Sequence, residues 1–167
     1  MTQAVEQRDA MDVDRLLTQA ARIVRSERYC WLATAPQAGS IRLRPMGKVA
    51  FDRDDWTIQF VTDGRSRKAS DLRHTNRVSV VCQREADDAY ITLTGTATLR
   101  QHPSEVRERW KDAYDAYFPT ASDKENAAFI EISVDCIELW IRGVTPEPFG
   151  LQATVLQRGA GSWRVTS

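Results

Sequence analysis

The stretch Ala89–Arg100, "AYITLTGTATLR", alternates without interruption. Ile91, Leu93, Gly95, Ala97 and Leu99 fall on one face, and Tyr90 with four threonines on the other. Strand side chains change sides at every residue, so this is a long strand buried on one face only. Gly95 at its middle marks a bend or the close approach of another backbone.

The remaining segments read against that strand. Residues 12–28 repeat Val13, Leu16, Leu17, Ala20, Ile23 and Val24 at helical spacing, predicting an amphipathic helix. "YCWLATAP" reads as a strand stopped by Pro36 and the "QAGS" turn. In "SIRLRPMG", Ile41 and Leu43 point one way and Arg42 and Arg44 the other; Pro45 cannot donate to a ladder, so this strand is an edge or bulges there. "KVAFDRDDWTIQFVTD" predicts a hairpin turning at "DRDD", with Trp56, Ile58, Phe60 and Thr62 on one face. The helix "SRKASDLRHT" and the strand "RVSVVCQRE" follow. Pro103 opens a helix over "PSEVRERWKDAYDAYF", ended by the acidic loop "PTASDKEN". "AFIEISVDCIELWIRG" changes phase between Val134 and Ile137, which predicts a kink or bulge near Asp135. The end of the chain reads as a weak hairpin around "GAG".

The sum is about six main strands, mostly in antiparallel hairpin order, with three helices: an α+β chain that is mainly β, in which a small barrel carries helices on its outside. No repeat, low-complexity tract or linker divides it. One domain over residues 1–167 is the expectation, with a helical segment at 1–28 and a tail at 143–167.

Charge and motifs exclude several function classes. Lys+Arg and Asp+Glu are both 23, a balance that argues against broad nucleic-acid or anionic-membrane binding. No segment approaches the roughly 18 apolar residues of a membrane span, and the polar N-terminus is unlike a secretory signal. Cys30, Cys82 and Cys136 each sit in an apolar run, with no activating neighbour in sequence; they read as buried reduced thiols of a cytoplasmic protein. His74 and His102 lack metal-ligand spacing, so no metal site is expected, and helix-end or solvent-facing roles suit them. No Gly-rich nucleotide loop and no nucleophile elbow is present.

The turn "TDGRSRKASDL", Thr62–Leu72, remains. Helix N-termini already carry partial positive charge, yet Arg65, Arg67 and Lys68 crowd this one. Two readings stand. The run is a screened, solvated surface offset by Asp63 and Asp71. Or it binds a phosphate: backbone N–H groups at 67–69 face the anion, Ser66 caps or donates, Arg67 grips two oxygens and Lys68 adds a point charge. Arg42 and Arg44 on a strand in the same half of the chain, and the Thr62 hydroxyl at the helix entrance, favour the second.

Those residues also resemble a known family. "FVTDGRSRKASDLRHTNRVSVV" is similar to the Y-T-N-x-x-S-R-K segment of the pyridoxamine 5′-phosphate oxidase-like FMN-binding split barrels. "YITLTGTATLR" resembles that family's glycine-centred strand and "CIELW" its late I-E-F-W, so the resemblance spans residues 29–142. "RPMG" and "AYFP" are closer to the general stress protein 26-like branch. The resemblance implies a six-stranded antiparallel split β-barrel with flanking helices, a homodimer with FMN at the subunit interface. By the same resemblance Ser66, Arg67 and Lys68 would hold the FMN phosphate, and Arg44, Pro45, Met46 and Gly47 would follow the ribityl chain and ring. Val61 and Thr62 would bracket the ring; Tyr90 and Trp140 would add contacts, from the other subunit. The family's oxidase carries R-L-H-D-R after its tryptophan, whereas "WIRGVTPEPFG" has Arg142 as its one cation. The expectation is therefore a flavin-dependent oxidoreductase of an unknown small molecule, not a pyridoxamine phosphate oxidase. No catalytic residue can be named. A flavin carrier or sensor without turnover, or a split barrel using F420 or haem, is the alternative.

Overall fold

The computed structural model describes residues 2–166, with side chains from Asp12 onward. In chain order the elements are α1 (Thr2–Ser26), β1 (Tyr29–Thr34), β2 (Arg42–Asp52), β3 (Thr57–Asp63), α2 (Arg67–His74), β4 (Arg77–Arg84), β5 (Ala89–Arg100), α3 (Pro103–Arg109), α4 (Ala121–Glu125), β6 (Ala127–Ile141), β7 (Thr154–Arg158) and β8 (Trp163–Val165). The strands form one antiparallel sheet in the order β3-β2-β1-β4-β5-β6-β7-β8, and β6 pairs back onto β3. That pairing closes six strands into a barrel, leaving β7 and β8 as an extension beside β6.

Alternation fixes which residues fill the barrel. Ile91 and Leu93 of β5, Ile58 and Phe60 of β3, Leu32 of β1 and Ile132 of β6 are fully buried. Each aliphatic side chain so placed contributes roughly 1.5–3 kcal/mol. α1 adds Ala20, Ile23 and Val24 to the same core and lies against β4, β5 and β8.

β6 is long enough to serve two sets of neighbours. Ala127–Ser133 pair with β3, and Cys136–Leu139 pair with β7. The change of partner falls at Asp135, the extra residue between Gly95↔Val134 and Thr94↔Cys136. Gly95 is what permits it: a Cβ there would stand 2.2 Å from the Ser133 carbonyl oxygen. The bulge and the close approach are thus one feature.

Some expectations are corrected. "SIRLRPMG" and "KVAF" form a single strand, β2, with a register shift between Lys48 and Ala50. α1 begins before residue 12 and ends at Ser26 rather than at 28. The helix expected over 103–118 stops at Arg109; Trp110 and Lys111 are extended, and a 3-10 turn follows at Asp112–Ala116. The broken segment buries Val106, Tyr114 and Phe118 with Phe129 and packs Trp110 beside them. The break lets Trp110 meet Tyr114 and Phe118 edge-on, with centroids 5.7 and 5.5 Å away. The acidic loop contains α4, started by a capping box in which Thr120 and Asp123 each accept from the other's backbone N–H.

Gly95→Ala is expected to destabilise the fold by about 2–3 kcal/mol or more, because the added methyl meets backbone rather than a movable side chain. Urea unfolding of the two proteins checks it; an unchanged midpoint would mean that β5 and β6 can separate without cost.

Candidate functional site

From Arg42 to Gly47, β2 pairs with β1; from Lys48 onward it pairs with β3 instead. On β3, Val61, Thr62 and Asp63 pair with β6, with no partner on β2. The two strands therefore part beyond Lys48↔Phe60. Pro45 lies in the half-paired stretch, the edge that its missing N–H requires. The gap is the mouth of a cleft of about 590 Å³, within the range of small-molecule sites. β2 supplies Pro45, Met46 and Gly47 to it, β3 supplies Val61 and Thr62, and α2 supplies Lys68.

The turn before α2 is organised by its own side chains. Ser66 is the N-cap, with Oγ accepting from Ala69 N at 3.4 Å. Thr62 Oγ1 lies 3.4 Å from the same oxygen. First-turn N–H groups have no intrahelical acceptor, and among the described residues those of Arg67 and Lys68 find none elsewhere.

The three cations seen in the sequence separate in space. Arg65 turns back on Asp63, donating from its backbone N at 2.7 Å and its side chain at 2.6 Å, and reaches Asp123 at 3.5 Å. Arg65's hydrogen bond holds the Asp63 carboxyl below its ordinary range. Arg67 is exposed and Lys68 half-buried, and neither has a carboxylate within 4 Å among the described residues. Burial, then the nearby Arg44 charge, lowers the Lys68 ammonium. Arg44 is itself pushed down by burial, pulled up by Asp71 and pushed down again by Arg42 and Arg67. Arg44 thus feels the charges of both Lys68 and Arg67, which stand on the first turn of α2 with its two free N–H groups, an arrangement an anion relieves.

Asp71, which sequence reasoning missed as a site residue, orders that cluster. It is 3% exposed on α2. It accepts from Thr34 Oγ1 at 2.8 Å and from Arg42 at 2.7 Å, with Arg44 at 3.8 Å. Arg44 also donates to the Leu32 carbonyl at 3.0 Å. One buried carboxylate thus fastens α2 to β1 and β2, consumes Arg42, and leaves Arg44 between itself and Lys68. A single acid on a short helix carries no periodic signal, so only the fold reveals the role.

The far wall was also missed. Lys111, Tyr114, Tyr117 and Phe118 line the cleft from the segment after α3. Tyr114 and Phe118 pack with Phe129, against Val49 and Val61. Tyr117 stays 64% exposed over the opening. The regular spacing of Trp110, Tyr114 and Phe118 is the available signal, within a segment expected to be one helix.

Tyr90 and Trp140 are not brought to this cleft. They face each other across β5 and β6. Neither is among the residues that line the cleft. The tail packs on their side of the barrel: Phe149 approaches Tyr90 at 6.4 Å and lies under Arg142, which is bound to Asp88 at 2.6 Å. His74 and His102 take the helix-end roles expected, Nδ1 of His74 on Ser70 O and His102 capping α3.

Residues 17–150 match the sequence pattern of the family described as Pyridoxamine 5'-phosphate oxidase like. No curated protein matches. Among solved structures, a Clostridium acetobutylicum protein related to general stress protein 26 superposes with TM-score 0.70 at 15% identity, covering 86% of this chain and 94% of that one. A pyridoxamine 5'-phosphate oxidase-related, FMN binding protein from Nostoc punctiforme gives TM-score 0.68 at 17% identity, over 91% and 95% of the two chains. An F420 reductase gives TM-score 0.53 at 18% identity, over 65% and 87%.

Asp71→Ala is expected to cost about 2–3 kcal/mol, since it removes charge-assisted hydrogen bonds from a buried group. Denaturant unfolding measures it, and Asp71→Asn should recover only part of the loss. A value near zero for both would show that α2 is held to the barrel by packing alone.

Proposed function

The chain belongs to the pyridoxamine 5'-phosphate oxidase-like family, and from that premise we propose that it binds FMN in the β2–β3 split and uses it to exchange electrons with a small molecule. The observation that carries this reading is the group of Arg44, Arg67 and Lys68 at the open first turn of α2, with Lys68 lining a cleft whose other walls include Pro45, Met46, Val61, Tyr114, Tyr117 and Phe118 beside the charged Arg28, Lys48 and Lys111. A phosphate neutralises the cations and accepts the free N–H groups. Pro45, Met46, Gly47, Val61 and Tyr117 then offer flat, apolar surface to a ring system, with the Thr62 and Ser66 hydroxyls at its junction with the phosphate arm. FMN, when bound, supplies one- and two-electron chemistry. The chain's own share is to bind, orient and shelter it.

Arg67→Ala with Lys68→Ala should weaken FMN at least tenfold and leave riboflavin nearly unchanged, since charge-assisted contacts contribute about 1.5–3 kcal/mol each. Fluorescence titration of both ligands decides it. Equal losses would put the phosphate elsewhere. Rapid mixing of the FMN-loaded protein with NADH or NADPH then separates an enzyme from a carrier, by whether the flavin bleaches. An F420 reductase shares this fold, so F420 is titrated in parallel, and tighter binding of F420 than of FMN would overturn the cofactor assignment. Pyridoxamine phosphate is not the substrate in this reading. Pro146, Glu147, Pro148 and Phe149 stand where a second phosphate would need cations, and Arg142 is already engaged by Asp88.

The reading includes a homodimer. Tyr29, Trp31, Ile41 and Leu43 are exposed on or beside the outer face of β1 and β2, a contiguous apolar surface that a partner of the same chain would cover. Tyr90 and Trp140, which do not line their own chain's cleft, would serve a partner's. Light scattering is expected to give twice the chain mass. Trp31→Glu should shift the protein toward monomer and weaken FMN and riboflavin alike; a wild-type monomer that binds FMN at full strength would remove the dimer from the account.

A further inference from the structure

Cys30 and Cys82 are 52 residues apart and are used by nothing described above. The β1–β4 register pairs Trp31 with Val81 and Leu32 with Val80. Continued by one residue, it sets Cys30 opposite Cys82. Alternation turns both inward, where each is 1% exposed. Their Sγ atoms are 2.8 Å apart, one thiol hydrogen-bonded to the other.

That placement meets the requirements of a covalent link. Facing residues of an antiparallel pair have Cα separations of about 4.5–5.5 Å, inside the window of about 4.4–6.8 Å that disulfides occupy. Bringing the sulfurs to bonding distance, about 2.05 Å, needs less than about 1 Å of movement. Their environments also differ. The hydrogen bond with Cys82 holds the Cys30 thiol below its ordinary value, with the Lys48 charge assisting. The same hydrogen bond, then burial, raises Cys82. Lys48 is anchored near them by donating to the Glu27 carbonyl at 2.8 Å. Two facing thiols beside Lys48 supply both parts of the reaction, one sulfur to attack an oxidant and the other to resolve it. Cys136, half-buried on β6 and raised by burial and the Glu138 charge, has neither property.

We propose that Cys30 and Cys82 form a modification site, at which a hydroperoxide oxidises the pair to an intramolecular disulfide joining β1 to β4 within the native fold. The Cys30 sulfur attacks the terminal peroxide oxygen, the O–O bond breaks, and a sulfenic acid forms while the other oxygen leaves with the Cys30 proton as an alcohol, or as a first water when the oxidant is hydrogen peroxide. The Cys82 sulfur then attacks the Cys30 sulfur; the S–S bond forms, the S–O bond breaks, and a water leaves with the Cys82 proton. Two electrons pass from the thiols to the peroxide. Met46, opposite Cys30 across β1 and β2, lines the cleft together with Tyr29. The new bond would therefore lie directly behind the cleft wall.

The test needs no flavin. The reduced protein is treated with hydrogen peroxide, quenched, unfolded and alkylated, and its intact mass is read. The expected product carries one alkyl group instead of three, has lost about 2 Da, and yields a linked peptide joining Cys30 to Cys82. Cys136→Ser should lose both remaining thiols in the same way. The oxidised protein is expected to melt more than about 5 °C above the reduced one, because the link closes a long loop in the unfolded chain. Three alkylated thiols after peroxide, a link through Cys136 or between two chains, oxygen addition without a link, or an unchanged or lower melting temperature would each overturn the proposal.

Discussion

The architecture turns on one backbone contact, the approach of β6 to Gly95. Without a side chain there, β5 comes close to the Ser133 carbonyl, and β6 bulges at Asp135. That bulge divides β6 into a half that pairs with β3 and a half that pairs with β7. Closure of the barrel, burial of Ile58 and Phe60 within it, and placement of the β7–β8 hairpin all follow. A bulge re-aims a strand at the loss of one ladder position. Here it converts an open meander into a closed barrel with one strand pair left over.

The closed barrel then defines the site by where it fails to close. β2 is held by β1 along one half and by β3 along the other, with the register shift near Val49 between the two. Beyond the shift β2 and β3 separate, and their edges become walls. α2 is set beside this opening by the buried Asp71, which binds β1 through Thr34 and β2 through Arg42. The same carboxylate that fixes α2 leaves an excess of positive charge on the far side of it. Structural pairing and anion-directed charge are thus portions of one electrostatic arrangement.

The sequence made much of this legible, and for identifiable reasons. The strict alternation of β5, the phase slip in β6 and the Pro45 edge are local signals, and each corresponds to a feature of the sheet. Ser66 at the head of α2 is likewise a local signal, since a cap acts over three residues. The errors share a cause as well. Residues 103–118 have apolar groups at a spacing a helix allows, but the surface they pack on, Phe129 with Val49 and Val61, comes from strands outside that segment. The capping box of Thr120 and Asp123 is a local signal too, set within the acidic stretch.

What the sequence determined by itself was most of the strands and the first two helices, the family resemblance, and the place in the chain where cations crowd a helix N-terminus. Each depends on residues only a few positions apart. Tertiary structure decided which charges remain available: Arg65 is neutralised by Asp63 and Asp123, Arg42 by Asp71, and Arg44 and Lys68 are left close together. It also decided that Tyr90 and Trp140 lie outside the lining of the cleft, that an aromatic segment walls it, and that Cys30 meets Cys82. These outcomes depend on strand register and barrel closure. Both bring together residues tens of positions apart, and neither leaves a periodic trace in the chain.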